Sequence, residues 1–184
     1  MSGFLKKLFD RLRSTRTPRK TRGEQLEHRI GDWFEERYQG KPGWNSMGFD
    51  GYADAPHEFR ILNAHWALEY NISNGGWGQF LWNCRGAWRI LLWLAEQGYR
   101  ELDCPEQVRA VKKLKRLCQE NEADCDKYQR LAVEKDDFSY FGAFCERGYG
   151  KKWQSAFYDE HGEIRRKRHA WVVANASMIR RALR

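Results

Sequence analysis

The sequence predicts an all-α fold, a compact multi-helix single domain. Apolar residues recur at helical spacing through most of the chain, and no segment alternates strongly enough to build a sheet. At 184 residues, with nine Trp, eight Tyr and ten Phe, the chain can bury one sizeable core. We therefore expect residues 23–184 to fold as one helical domain after a separate N-terminal segment, residues 1–22.

Residues 23–38 form the first predicted helix of this domain. The segment that follows, residues 41–55, contains Pro42 and several glycine and aspartate residues, which are typical of a loop. Because aromatic residues in it can anchor it to the body, we expect this loop to be ordered. The apolar face of the first helix consists of Leu26, Ile30, Trp33, Phe34 and Tyr38.

Residues 57–72 carry apolar side chains on both faces of a predicted helix, so we expect this helix to be central and buried. It leads into residues 69–83, where Asn74, Gly75 and Gly76 interrupt the apolar spacing. Asn74 or Gly75 can adopt the positive φ that ends a helix, and the two glycines allow a close chain reversal. The sequence therefore predicts a tight helix-to-helix corner at these three residues.

The polar residues of this stretch are expected to serve the corner. The side chains of Glu69, Gln79 and Asn83 can satisfy amides and carbonyls that the turn leaves unpaired. A structural hydrogen-bond network is the simpler interpretation, and a catalytic or ligand-binding cluster is the alternative. The motif as a whole comprises Glu69, Asn74, Gly75, Gly76, Trp77, Gln79, Phe80 and Asn83.

Three further helices are predicted after the corner. Residues 86–98 form an apolar helix for which Gly98 supplies the C-terminal stop, and a last helix covers about residues 163–183. Between them, residues 104–121 form an amphipathic helix with a basic outer stripe, interpreted either as a solvated face or as a phosphate contact. The stripe consists of Arg109, Lys112, Lys113 and Arg116.

The formal net charge of +8 is unevenly distributed along the chain. Residues 1–22 carry +7 and residues 161–184 carry +6, whereas residues 23–160 carry −5. The two ends therefore predict contact with anions, while the body is acidic. The candidate anion-binding residues are Lys6, Lys7, Arg11, Arg13, Arg16, Arg19, Lys20, Arg22, Arg165, Arg166, Lys167 and Arg168.

The N-terminal segment also has an apolar face, formed by Phe4, Leu5, Leu8, Phe9 and Leu12. We predict a short basic amphipathic helix followed by a polar linker. Reversible attachment to an anionic membrane is one interpretation, and a frayed tail or a helix docked on the domain is the other. The apolar stretch is too short for a signal peptide core, and no run is long enough to span a membrane. We expect a cytoplasmic protein, with peripheral attachment to the inner membrane face as the alternative.

Residues 120–137 carry a net charge of −4 and form the acidic patch of the body. Their spacing lacks the glycine and the terminal glutamate of a calcium loop, so the sequence predicts no metal site here. We expect a protein-binding surface instead. The candidate partner-binding residues are Glu120, Glu122, Asp124, Asp126, Asp136 and Asp137.

Catalytic chemistry is not predicted. Glycine patterns of the Walker or Rossmann type are absent, and the five histidines lack metal-ligand spacing. Cys84 follows the corner directly, but no histidine is placed by sequence to activate it. The five cysteines have no Cys-x-x-Cys spacing and are expected to be reduced thiols. We therefore expect a protein that is not an enzyme and needs no metal or cofactor.

The run from Glu69 to Asn83 resembles the signature of the DNA mimic protein 19 family. It places an acidic residue, then Asn-Gly-Gly-aromatic, then Gln-aromatic and a final Asn. The resemblance covers about residues 55–183 and implies a helical bacterial protein. The named member of that family presents an acidic, DNA-like surface to a DNA-binding regulator, with carboxylates in place of phosphates. In this chain the patch at residues 120–137 is the part that can serve in this way.

Two functions follow from these observations. The first is a non-catalytic interaction protein that regulates or neutralises an unidentified protein partner through a surface patch. The second is an accessory protein that contacts nucleic acid non-specifically, or an anionic membrane, through its basic ends. The resemblance leaves the formation of a homodimer open.

Overall fold

The computed structural model describes residues 20–41, 52–146, 151–158 and 162–184. The helices in these ranges are α1 (Arg22–Tyr38), α2 (His57–Asn83), α3 (Trp88–Glu101), α4 (Pro105–Glu120), α5 (Glu122–Glu134), α6 (Ser139–Glu146), a 3-10 helix (Lys151–Phe157), α7 (Glu163–Ala174) and α8 (Ala176–Ala182). These ranges contain no strand, and the all-α single-domain prediction is confirmed. The predicted N-terminal helix and most of the predicted loop at 41–55 lie outside the described residues.

Helix α2 is the central element of the bundle. Phe59 and Leu62, near its beginning, are fully buried against α1, α7 and α8. Leu68 and Phe80, further along, are fully buried in a second cluster with α3, α4, α5 and α6. Because both sides of α2 are covered, apolar residues occur all round it, as the sequence predicted.

Helix α1 runs antiparallel to the first half of α2. Phe34 lies beside Phe59, and Glu27, two turns earlier in α1, contacts Trp66, further along α2. The helix begins with a capping box, in which Thr21 Oγ1 accepts a hydrogen bond from the Glu24 amide and the Glu24 carboxylate accepts one from the Thr21 amide. Arg22, assigned from the sequence to the N-terminal segment, is therefore the first residue of α1.

The predicted end of one helix and the predicted continuity of another were wrong. Helix α3 continues past Gly98 to Glu101, and a Cβ at Gly98 would lie 2.5 Å from His65 Nε2. Gly98 therefore allows α2 and α3 to approach closely and does not end the helix. The predicted last helix is divided at Asn175 into α7 and α8, and the Asn175 side-chain amide donates to the Trp171 carbonyl.

Candidate partner-binding surface and the buried motif

The predicted corner is confirmed, and the residue that makes it is Gly76. Its φ of 75° and ψ of −167° break the helical backbone of α2, whereas Asn74 and Gly75, where we predicted the positive φ, stay helical. The amide of Trp77 donates to Gln154 Oε1 at 3.1 Å. A Cβ at Gly76 would lie 2.7 Å from the same oxygen. The kink thus requires glycine both for its backbone angles and for the side chain that satisfies the freed amide.

Asn83 connects the part of α2 after the kink to the part before it by a hydrogen bond. Its Nδ2 donates to Asn71 Oδ1 at 2.7 Å, and Asn71 Nδ2 donates to the Ala67 carbonyl at 2.6 Å. Asn71 Nδ2 also lies 3.6 Å from Cys84 Sγ. Asn83 thus belongs to a structural network, in which Asn71 is a member that the sequence reasoning missed. Asn71 is fully buried, and the sequence signal that could have found it was an asparagine within a helix predicted to be apolar on both faces.

The other motif residues divide between core and surface. Trp77 and Phe80 are buried in the larger cluster, whereas Asn74 and Gly75 are exposed. The side chain of Gln79 is half-buried and lies over Gly75. Asn74, Gly75 and Gln79 form the outer side of the turn, and Trp77 and Phe80 form its buried apolar side.

Glu69 does not join Gln79 and Asn83, contrary to our expectation. It accepts a hydrogen bond from the Tyr99 hydroxyl at 2.8 Å and two from Arg168 NH1 at 2.8 and 2.9 Å. Two helical turns, about 10 Å, separate it from the kink, so its carboxylate reaches α3 and α7 instead. The acidic residue of the motif therefore serves the packing of helices and not the corner.

Arg168 is the centre of this buried ion-pair network. It is 7% exposed, and its Nε donates to Glu27 Oε1 at 2.8 Å. Burial lowers the pKa of Arg168, but the carboxylates of Glu69 and Glu27 more than offset this, so the pKa lies above its usual value. Glu27 also accepts from the Trp66 indole at 2.6 Å. Arg168 was predicted to bind anions at the surface, and that prediction is wrong because both its carboxylate partners come from this chain.

The chemistry of this ion-pair network suits a structural role, in which its side chains hold the helices together. Burial, followed by the charge of Glu69 and its hydrogen bond, raises the pKa of Tyr99 well above its usual value, so the hydroxyl remains a donor. A cleft of about 500 Å³ between α1 and α7 opens over Glu27, Trp66 and His169. Its lining mixes acidic and basic side chains, including Glu24. Among the described residues that line this cleft, none is a serine, threonine or cysteine.

The predicted acidic patch runs from Glu120, the last residue of α4, along α5 to its connection with α6. Glu120, Asp124, Asp126, Asp136 and Asp137 are exposed. Glu122 is half-buried and forms an ion pair with Arg89. One oxygen of Asp137 accepts from the Ser139 amide at 2.9 Å at the start of α6, and this hydrogen bond lowers the pKa of Asp137.

Large apolar side chains accompany these carboxylates, and the sequence reasoning missed them. Val133 is 68% exposed and Phe138 is 58% exposed. Asp126 and Val133 are seven residues apart in α5 and therefore lie on one face. We call this region the acidic–apolar surface, and it consists of Asp126, Val133, Asp136, Asp137 and Phe138; Asp124 lies on the other side of α5.

The basic candidates outside this surface have different positions. Those in residues 1–19 lie outside the described residues, whereas Lys20, Arg165 and Arg166 are exposed. Lys167 donates to the Asp103 carbonyl at 2.6 Å. The four basic residues of the predicted α4 stripe are exposed, so their predicted outward direction is confirmed. Three exposed arginines of the C-terminal end add to the predicted set, namely Arg180, Arg181 and Arg184.

Cys84, the one nucleophile considered from the sequence, is fully buried, and burial raises its pKa to about 12. Cys104 and Cys118 are also buried thiols, in agreement with the prediction of reduced cysteines. Across the described ranges, His, Cys, Asp and Glu do not gather into a group that could hold a metal ion. Within those ranges, none of the helices has the length and hydrophobicity needed to cross a bilayer.

The fold and these sites define a helical protein with a glycine-kinked central helix, a buried ion-pair network and an acidic–apolar surface. A model of the DMP19-like protein family matches residues 53–175, more than half of the chain. The chain therefore belongs to the DMP19-like protein family, as the motif predicted. Comparison with curated proteins and with solved structures found no match. The matched range begins after α1 and ends at Asn175, between α7 and α8.

Proposed function

We propose that this protein is a non-catalytic interaction protein that regulates or neutralises a protein partner through the acidic–apolar surface. The observation that carries the proposal is the exposure of Val133 in the acidic patch and of Phe138 directly after it. Apolar anchors surrounded by charged groups are typical of interfaces in which the anchors supply affinity and the charges supply orientation. A partner with a basic surface and an apolar contact fits this surface.

The state of the carboxylates supports the proposal. Asp124, Asp126 and Asp136 take part in none of the salt bridges found among the described residues, whereas Glu122 is paired with Arg89. Their charge is thus available to an external cation. Three basic residues, Lys127, Arg130 and Lys135, share the region and reduce its net charge to −4.

The contacts of the polar motif residues support the proposal that the protein is not an enzyme. Its polar groups hold helices together, as Glu69 does with Arg168 and Asn83 does with Asn71. The burial and raised pKa of Cys84 disfavour a thiolate. An enzymatic site would instead need reactive groups that face an open pocket.

The test is the capture of binding proteins from a nuclease-treated lysate of the protein's own cells, with the tagged full-length chain as bait. We expect one near-stoichiometric protein to remain after a moderate-salt wash. The variant Asp126→Lys/Asp136→Lys should lose it. The matched control is Glu35→Lys/Glu36→Lys, which makes the same charge change at exposed positions of α1 and should retain the partner. Retention by both variants would overturn the proposal.

A second candidate function is supported by the exposed arginines of the C-terminal end, Arg165, Arg166, Arg180, Arg181 and Arg184. Together with the basic N-terminal segment, they favour non-specific contact with nucleic acid or with an anionic membrane. In the same capture experiment, loss of all bound material on nuclease treatment would favour nucleic acid. Flotation of the full chain with anionic liposomes, lost on deletion of residues 1–19, would favour the membrane.

A further inference from the structure

We propose that residues 4–13 of this chain dock on the acidic–apolar surface and cover it. The occupant is the predicted basic amphipathic helix of the N-terminal segment. The proposal rests on the exposure and rigidity of the surface, on the match of charge and apolar residues, and on the reach of the connecting chain. Only its regulatory consequence rests on the proposed function.

The apolar part of the surface is held firmly in place. The Phe138 ring meets the Trp82 ring edge-on, with centroids 5.2 Å apart, and lies 5.7 Å from the buried Phe141 ring. The Arg85 guanidinium lies over the Trp82 ring, 5.5 Å from its centroid. Phe138 is therefore a fixed anchor that still leaves more than half of its area exposed, and Val133 extends the apolar area.

The N-terminal segment has the complementary chemistry. Its apolar residues recur on one helical face, and Lys6, Lys7 and Arg13 lie opposite. Residues 4–13 carry four basic side chains and one acidic side chain, a net charge of +3, whereas residues 120–137 carry −4. An apolar face can cover Val133 and Phe138 while its basic flanks meet Asp126 and Asp136.

The start of α1 lies within reach of this surface. Gly23 packs against His169, and Arg168 connects Glu27 to Glu69, so the chain enters α1 near the level of Glu69 in α2. Trp82, whose ring packs against Phe138, lies at most about 20 Å from Glu69 along α2, at 1.5 Å per residue. Residues 14–19 connect residue 13 to Lys20, at the start of the described chain, and bridge about 24 Å when extended. The length of the linker is therefore comparable with this distance along α2.

Docking would place the basic segment where the proposed partner binds. A partner would then have to displace it, or an anionic membrane would have to withdraw it. The short tether favours docking within one chain over docking between chains, because it holds the segment at a high effective concentration.

The test is zero-length carbodiimide cross-linking of the purified full-length chain, followed by mass spectrometry. We expect amide links from Lys6 or Lys7 to Asp126, Glu134 or Asp136. The variant Val133→Ser/Phe138→Ser should reduce their yield about tenfold, because the apolar contact is lost. The control Met178→Ser alters an exposed apolar residue of α8 and should leave the yield unchanged.

An equal mixture of ¹⁵N-labelled and unlabelled chains identifies the occupant. Links within one isotope form confirm docking in the same chain, and mixed-isotope links would overturn it in favour of a second copy. Absence of these links, with flotation of the chain on phosphatidylglycerol vesicles, would overturn it in favour of a membrane. If the links are absent while Asp126→Lys/Asp136→Lys still loses a captured partner, docking fails and the proposed function stands. If the links are present but no partner is captured, docking stands and the proposed function fails.

Discussion

Arg168 donates to both carboxylate oxygens of Glu69, at 2.9 and 2.8 Å, although the two residues are 99 positions apart. The same guanidinium donates to Glu27 of α1, and Tyr99 of α3 donates to Glu69. One acidic residue of the family motif thus lies where α1, α2, α3 and α7 are joined. It is a structural residue because its partners are a buried cation and a buried hydroxyl.

The first prediction concerns this ion pair. The substitution Arg168→Gln removes the cation and leaves two carboxylates that are only 12% and 18% exposed. Glu27 keeps its contacts with His169 and Trp66 and Glu69 keeps Tyr99, but both lose the arginine, so we expect the free energy of unfolding to fall by about 3 kcal/mol. Urea unfolding measures the change. The control Arg180→Gln, at an exposed position of α8, should change stability by no more than about 0.5 kcal/mol. Equal losses in the two variants would contradict the network.

The second prediction separates the two adjacent glycines of the kink. Gly76→Ala should lower the free energy of unfolding by about 1–3 kcal/mol, because its backbone angles are open almost only to glycine. The new Cβ would also press on Gln154 Oε1. Gly75→Ala should be neutral or stabilising by up to about 1 kcal/mol, because Gly75 is helical and exposed and its close neighbour is the flexible end of Gln79. Thermal unfolding of both variants is the measurement. A similar loss at Gly75 would mean that both glycines form the corner.

Periodicity predicted the helices well because burial on one or both sides leaves a regular pattern. It placed α1, α2 and α4 correctly, and the paired glycines located the kink to within two residues. Gly98 was misread because a glycine that ends a helix and one that admits a neighbouring helix look alike in sequence. Only the position of His65 shows which role applies.

The partners of polar residues were beyond sequence reasoning. Helical spacing shows which face a residue occupies but not which distant residue meets it, so Glu69 was assigned to the nearby corner. Arg168 lay in a basic run and was taken for a surface cation for the same reason. Gln154 lies 77 positions from Trp77 and had no local signal. Phe138 was missed because an exposed aromatic residue has the same spacing as a buried one.

The third prediction concerns the pH dependence of stability. His65 is fully buried and stacked on Tyr99, with ring centroids 4.1 Å apart. Burial, followed by the charge of Arg168, lowers the pKa of His65 to about 3. An unfolded histidine has a pKa of about 6.5, so the unfolded chain binds a proton at this site between about pH 6.5 and pH 3 and the folded chain does not. The contribution of His65 to stability is therefore present above pH 6.5 and is lost as the pH falls.

The variant His65→Leu should remove this contribution. Between pH 6 and pH 4, the free energy of unfolding of the unmodified protein should fall more steeply than that of the variant, by about 1.4 kcal/mol per pH unit. Urea unfolding at several pH values measures the slopes. Leu68→Ala is the control, because it destabilises the same helix and retains the histidine. Equal slopes for His65→Leu and Leu68→Ala would show that His65 is protonated in the folded protein.

The last prediction tests Cys84 as a nucleophile. Because its pKa is about 12, about one thiol in ten thousand is ionised at pH 8, whereas a small free thiol is ionised to about one part in four. Reaction of the native protein with iodoacetamide at Cys84 should thus be at least about a thousandfold slower than that of a small thiol, and burial slows it further. Mass spectrometry of the peptide that contains Cys84 gives the rate, and the rate in urea should rise to that of a free thiol. Rapid reaction of the folded protein would reveal an accessible thiolate and favour an enzyme over an interaction protein.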